Sequence, residues 1–205
     1  MDTRQKIGWL GLGSLGVPCI RRLAEHGARP RVWARNPDLR SELSAEGFSF
    51  ADSACDLARS VDVIFLSLSD EVAMEEVVFG EGRVVSGLKP GSLLVDCSTI
   101  SPESTQRFAR RLTDTAKCSW IDAPVSGGAA HVANGELVVM AGGDEGGLDR
   151  AQKLMAPLCK RFTRLGPVGS GQTLKACIQL VTGATVQALA EGLSVIEASG
   201  LNPET

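Results

Sequence analysis

Short apolar runs recur along the chain, separated by longer stretches with apolar residues every three or four positions. The runs Ile7–Leu10, Arg31–Ala34, Val61–Leu66, Leu93–Asp96, Trp120–Ala123 and Leu137–Ala141 predict strands. The intervening patterns Leu15–His26, Pro37–Glu46, Ala73–Val78 and Glu103–Leu112 predict helices. Strand and helix in alternation imply an α/β fold of the Rossmann type, doubly wound on a mostly parallel sheet with right-handed crossovers. Uninterrupted apolar runs such as Val63-Ile64-Phe65-Leu66 fit strands buried on both faces.

The last stretch has another character. From Gln172 to Ser199 there is no proline, and apolar or small residues recur at Leu174, Ile178, Val181, Thr185, Ala188, Gly192, Val195 and Ser199. Alternating spacings of four and three predict one long helix, roughly 40 Å at 1.5 Å per residue. Leu180, Leu189, Leu193 and Ile196 lie off that stripe. A helix apolar on several sides calls for neighbours beyond the sheet, either a second domain or another subunit. The expected division is therefore a dinucleotide-binding domain over residues 1–168 and a long interdomain helix over 169–205.

Composition narrows the class. The 205 residues carry 24 acidic and 21 basic side chains, a net charge of −3, without the excess of cations that a nucleic-acid-binding face requires. With 43% hydrophobic residues the chain is of ordinary globular character, and no apolar run is long enough to span a membrane. The N-terminus lacks the apolar stretch of a signal peptide, and the six scattered cysteines include no Cys-x-x-Cys pair. These features fit reduced thiols and a cytoplasmic location. Neither His26 nor His131 sits at metal-ligand spacing from other donors, so no metal is expected.

The first chemical motif is Gly11-Leu12-Gly13-Ser14-Leu15-Gly16. G-x-G-x-x-G alone is a weak signal, but here it follows a predicted strand and opens a predicted helix. In that setting the first glycine makes the tight turn, the second admits a pyrophosphate to the backbone, and the third lets helix and strand pack closely. At the end of the second strand an acid would accept from the ribose hydroxyls of NAD(H). This chain instead has Ala34-Arg35-Asn36, and a guanidinium suits a 2′-phosphate. NADP(H) is the expected cofactor, with Arg35 and Asn36 as its readers and NAD(H) as the alternative.

Two further elements directly follow strands, where a doubly wound sheet places its ligand: Asp96-Cys97-Ser98-Thr99-Ile100-Ser101-Pro102 and Asp122-Ala123-Pro124-Val125-Ser126-Gly127-Gly128. Ser126 and the two glycines after it offer a hydroxyl and open backbone N–H groups to a carboxylate or carbonyl oxygen. A third element, Gly169-Ser170-Gly171, precedes the long helix, whose early face carries Lys175, Gln179 and Thr182. A lysine there can act as general acid toward a developing alkoxide, and its neutral form as base for the reverse reaction once desolvation or the positive nicotinamide ring lowers its pKa.

Together these blocks resemble the β-hydroxyacid dehydrogenases, which include 3-hydroxyisobutyrate dehydrogenase, tartronate semialdehyde reductase and the glyoxylate/succinic semialdehyde reductases, and are 6-phosphogluconate dehydrogenase-like. The resemblance implies oxidation of a short β-hydroxyacid, or reduction of its semialdehyde, with NAD(P). It implies Lys175 as the catalytic acid/base, Ser126, Gly127 and Gly128 around the substrate carboxylate, and Gln179 as a substrate-binding amide. Thr99 would lie by the nicotinamide, and Leu68-Ser69 would match the loop over the adenosine side, usually Leu-Pro. The family's helix commonly reads Lys-x-x-Asn, whereas Ile178 stands in place of that amide here. Members continue into an all-helical domain that closes the site and builds a dimer, so a homodimer through the long helix and that domain is implied. The rival expectation is a non-catalytic dinucleotide-binding module that assembles through the long helix.

Overall fold

The computed structural model describes residues 5–202. The first four residues of the expected 1–168 unit and the last three of the expected 169–205 unit lie outside that range. Eight strands form one sheet: β1 Ile7–Leu10, β2 Arg31–Trp33, β3 Val63–Leu66, β4 Leu93–Asp96, β5 Ser119–Asp122, β6 Val125–Ser126, β7 Leu137–Gly142 and β8 Cys159–Gly166. The α-helices are α1 Gly16–Glu25, α2 Pro37–Ala45, α3 Ala54–Ser60, α4 Glu71–Met74, α5 Pro102–Ala116, α6 Gly128–Val132, α7 Glu145–Met155 and α8 Ser170–Ala198. A π-turn, Glu75–Phe79, continues α4, and a 3₁₀ turn follows at Val84–Gly87.

The first five strands run parallel in the order β2-β1-β3-β4-β5. A single parallel bridge from Val32 to Phe50 adds a rudimentary outer strand beyond β2. With that segment counted, the chain crosses from one half of the sheet to the other between β1 and β3, as in dinucleotide-binding folds. β7 reverses direction, pairing with β5 and β6 on one side and lying parallel to β8 on the other.

Why the apolar runs became central strands is visible in β3. Val63 and Phe65 face a core shared with Cys19, Ile20 and Leu23 of α1 and Leu148, Ala151 and Leu154 of α7. Ile64 and Leu66 face a second core shared with Leu57 of α3, Met74 of α4 and Phe108 and Leu112 of α5. Burying each such side chain stabilises the fold by about 1.5–3 kcal/mol, which a single-faced strand would gain at every second position only. Trp9 and Phe65 stack across β1 and β3 with centroids 5.0 Å apart, bracing the strands that flank the crossover.

Five elements went unread in the periodicity. β8, Cys-Lys-Arg-Phe-Thr-Arg-Leu-Gly, lies at the sheet edge and turns its charged residues to solvent, so it shows no apolar run. In α7 two early glycines weaken the helical signal, while Asp144 caps the helix by accepting from the Gly147 N–H. α3, α6 and β6 are too short to build a pattern. The helix expected at Ala73–Val78 begins at Glu71 and widens into the π-turn.

The long helix forms as expected, but it leaves the body of the domain early. Gly171, Gln172 and Lys175 are buried, whereas from Ala176 to Asn202 every residue except Ile196, which is half-buried, is exposed, Ile178 and Leu193 the least so among the large apolar ones. Leu180, Val181, Val186, Leu189 and Val195 are more than 60% exposed. Of the apolar stripe, Leu174 in the second turn is half-buried where α8 packs on β5, β7 and β8, while most of the later stripe and off-stripe residues face outward. Among the described residues, no helix is long and apolar enough to cross a membrane.

Candidate active site

Gly11 ends β1 with φ +90°, and a Cβ there would stand 2.1 Å from the carbonyl oxygen of Ser67. The glycine loop and the loop after β3 are thus in backbone contact, which no other residue permits. Ser67 ties them further: its hydroxyl donates to the Gly11 carbonyl (2.6 Å) and accepts from the Trp9 indole N–H (2.9 Å). A Cβ at Gly16 would meet the Gly11 carbonyl at 2.0 Å, while Gly13 faces open space. No side chain caps α1. Space above Gly13 beside an uncapped helix N-terminus fits a pyrophosphate.

Two adjoining clefts run along the carboxyl ends of the strands. One, of about 220 Å³, is lined by Gly11, Leu12, Trp33, Ala34, Arg35, Asn36, Leu39, Leu68 and Val77. The other, of about 410 Å³, is lined by Gly13, Ser14, Leu15, Ser67, Leu68, Ser69, Cys97, Ser98 and Thr99. Leu68 borders both. Every residue singled out from the sequence for the cofactor lines this groove except Gly16, which lies buried beneath it. The expected reader Asn36 has a second task, since its side chain caps α2 by accepting from the Asp38 N–H (2.9 Å).

The other end of the groove is held by a chain of hydrogen bonds from distant segments. The Leu68 N–H donates to the Ser98 hydroxyl (2.9 Å), the Ser98 N–H donates to Asp96 Oδ1 (2.9 Å), and Gln172 Nε2 donates to the Ser98 carbonyl (2.8 Å). The first turn of α8 is thereby tied to the loop after β4. Asp122, at the end of β5, holds the same turn: Oδ1 accepts from the Gly169 N–H (2.8 Å) and Oδ2 from the Gln172 N–H (2.9 Å). Gly171 makes this approach feasible, because a Cβ there would lie 2.3 Å from the Met140 carbonyl.

Lys175 follows Gln172 by three positions and so projects from the same side of α8. It is buried, and its ammonium donates to the carbonyl of Val125 (3.0 Å), the residue before Ser126. Among the described residues no carboxylate lies within ion-pair distance of it, and burial holds its pKa below the ordinary lysine value. Ser126 is half-buried in β6; Gly127 and Gly128 take φ values of 119° and 64°, and the Gly127 carbonyl meets the His131 ring Nδ1. Gln179 stands one turn further along α8 and is exposed. Ile178 lines a shallow apolar hollow of about 260 Å³ with Cys177, Val181 and Thr182. Among the described residues no group of three or more histidine, cysteine or acidic side chains could hold a metal ion.

Asp96, Asp122, Ser98, Gln172 and Ser67 were not singled out from the sequence. Two aspartates ending apolar strand runs were the available signal, since a carboxylate in such a place must find partners or lose its charge. Asp96 is fully buried with no partner for Oδ2, and burial pushes its carboxyl up to about 7, with a smaller contribution from Asp122. The folded state therefore holds a proton that the unfolded chain releases near pH 4, so stability is greatest at low pH and falls as pH rises toward 7. Unfolding in urea between pH 5 and 8 is expected to show this decline, amounting to a few kcal/mol, and Asp96→Asn is expected to flatten it. An unchanged pH slope in Asp96→Asn would assign the decline to other groups.

Comparison with known proteins gives a consistent set of relatives. The family model described as the NAD binding domain of 6-phosphogluconate dehydrogenase matches residues 6–166. The 2-hydroxy-3-oxopropionate reductase of Escherichia coli K12 is 35% identical over 198 residues, covering 97% of this chain and 67% of the relative. The mitochondrial 3-hydroxyisobutyrate dehydrogenase of Rattus norvegicus is 32% identical over 204 residues, covering 100% of this chain and 61% of the relative. The solved structure of 3-hydroxyisobutyrate dehydrogenase from Mycobacterium tuberculosis with L-serine superposes with a TM-score of 0.87 at 29% identity, over 97% of this chain and 67% of that one. The chain thus spans between six and seven tenths of the length of these relatives.

Proposed function

This chain belongs to the β-hydroxyacid dehydrogenase family, and on that premise we propose that it interconverts a short β-hydroxyacid and its semialdehyde, with NADP(H) preferred over NAD(H). The observation that carries the reading is the buried ammonium of Lys175, held without a carboxylate partner against the backbone that leads into Ser126-Gly127-Gly128. A structural lysine would be exposed or paired, because burying an unpaired cation is costly.

When bound, the nicotinamide cofactor supplies the hydride in reduction and takes it in oxidation. Gly11, Leu12, Gly13, Ser14, Leu15 and Gly16 form its phosphate cradle, Arg35 and Asn36 meet the adenosine ribose, Leu68 and Ser69 cover the groove, and Thr99 lies at the nicotinamide end. Ser126, Gly127 and Gly128 bind the substrate carboxylate through hydroxyl and backbone N–H groups, and Gln179 adds an amide from α8. Lys175 gives its proton to the carbonyl oxygen in reduction and recovers it from the hydroxyl in oxidation. Because desolvation lowers its pKa, the neutral base is reached at a pH below that of a free lysine. Arg35 in place of an acid favours the 2′-phosphate, and a preference for NADP(H) favours the reductive direction. The exposed apolar length of α8 supports assembly as a homodimer through this helix, together with any further helical domain.

Steady-state turnover of glyoxylate, succinic semialdehyde and tartronate semialdehyde with NADPH and NADH tests the reading, run on this chain and on the intact product of its gene. Turnover of at least one, faster at limiting NADPH than at limiting NADH, is expected. Cofactor binding without turnover in either form favours the non-catalytic binding module, for which Ile178 in place of an amide is the supporting observation.

A further inference from the structure

The adenosine end of the groove carries more charge than the β2 loop alone accounts for. Arg35 is 71% exposed, and its Nη1 lies 3.9 Å from Oε1 of Glu76 on the π-turn. Arg83, from the segment after that turn, places Nη2 at 3.7 Å from the same oxygen. Both separations exceed a hydrogen bond, so one carboxylate oxygen stands between two guanidiniums without satisfying the donors of either. The three groups come from three segments: the loop after β2, the π-turn, and the connection to the 3₁₀ turn.

Arg83 is also positioned. Its guanidinium lies over the indole of Trp33, 5.9 Å from the ring centroid, and Trp33 lines the smaller cleft with Ala34, Arg35 and Asn36. Glu76 is placed by the turn that bears it. With Met74, Val77 and Val78 all buried, the widened turn leaves Glu76 half-exposed beside Val77, itself part of the cleft wall. Two cations and one anion leave a net positive charge at the mouth of the cleft.

We propose that Arg83 is a second guanidinium of the ribose subsite and that Glu76 sets its selectivity: a 2′-phosphate displaces the Glu76 carboxylate from between Arg35 and Arg83, whereas an unphosphorylated ribose uses that carboxylate as acceptor. The inference rests on the NADP(H) reading above and extends it. A phosphate offers several oxygens and up to two negative charges, so it can bond both guanidiniums at once, which a single carboxylate oxygen at these distances does not. Glu76 then opposes the phosphate by like charge. A ribose hydroxyl, in contrast, gains an acceptor from Glu76 and little from the arginines, in the manner of the acid usually found at the end of the second strand.

Binding of 2′,5′-ADP and of 5′-AMP, measured calorimetrically on the wild type and on Arg35→Ala, Arg83→Met and Glu76→Gln, separates the possibilities without requiring turnover. Methionine keeps an apolar stem against Trp33 while removing the charge. Arg83→Met is expected to weaken 2′,5′-ADP roughly tenfold and leave 5′-AMP within about twofold. Glu76→Gln, which removes no packing, is expected to tighten 2′,5′-ADP about threefold while weakening 5′-AMP. If the wild type prefers 2′,5′-ADP and Arg35→Ala loses that preference, but Arg83→Met and Glu76→Gln do not move it, the inference is overturned and the NADP(H) reading stands. If the wild type binds both probes alike and Arg35→Ala changes neither, the NADP(H) reading fails, and this extension fails with it.

Discussion

Lys175→Ala is expected to lower kcat about 10²–10⁴-fold with NADPH affinity changed by less than about twofold, the range in which a positioned general acid acts. The lysine sits on α8, whose Gln172 side chain donates to the carbonyl of Ser98 in the groove wall, and its ammonium donates to the carbonyl of Val125, which does not line the groove. Removing it leaves the dinucleotide cradle intact. The loss therefore belongs to proton transfer and substrate orientation, not to cofactor binding. In the reductive direction the lysine must be protonated, so the wild-type rate is expected to fall as pH rises through a pKa set below that of a free lysine by burial. Lys175→Arg is expected to recover little, because a guanidinium does not exchange its proton in this range. Activity retained within a few-fold in Lys175→Ala, with fluorescence titration confirming cofactor binding, would assign the buried ammonium a purely structural part.

Asp122→Ala is expected to be the most destabilising substitution at the site, by about 3 kcal/mol in urea unfolding, since hydrogen bonds to a charged acceptor contribute about 1.5–3 kcal/mol each and two are lost. The carboxylate accepts from the Gly169 and Gln172 N–H groups, so its loss leaves two donors unsatisfied in a closed space and removes an anion from the N-terminus of a 29-residue helix. Burial raises the Asp122 pKa while these backbone donors pull the other way. Asp122→Asn keeps one acceptor and is expected to cost less than the alanine variant. Because the same turn carries Gln172 toward Ser98 and Lys175 toward Val125, catalysis is expected to fall along with stability. An alanine variant as stable as wild type would mean that packing on the sheet and α5 suffices to anchor α8.

Much of the fold was legible because its causes are local. The apolar runs of β1, β3 and β4 reflect a core on both faces of each strand, and Gly11 and Gly16 of the cradle stand where the backbone itself approaches a neighbour. β8 was illegible for the opposite reason: an edge strand that turns Lys160, Arg161 and Arg164 to solvent carries no apolar signature. The stripe on α8 was read correctly as a helix, and its apolar residues on several sides already called for neighbours beyond the sheet; the structure adds where the helix leaves this domain, after Lys175.

At the site the division is similar. Gly11, Gly13, Arg35, Thr99, the Ser126 block and Lys175 could be singled out as candidates by residue type near a strand end or helix start. Their mutual placement was not. Asp122 finds its partners 47 and 50 positions later, Gln172 reaches back 74 positions to Ser98, and Glu76 meets arginines that precede and follow it. The sequence by itself determined the alternation of strand and helix, the turn at the end of β1 and the long last helix, because periodicity and backbone sterics act over a few residues. Only the tertiary structure decided which strand ends converge on the groove and which carboxylate anchors α8. Those contacts depend on the order in which parallel strands are laid side by side, and crossover connections make neighbours of residues that no local pattern links.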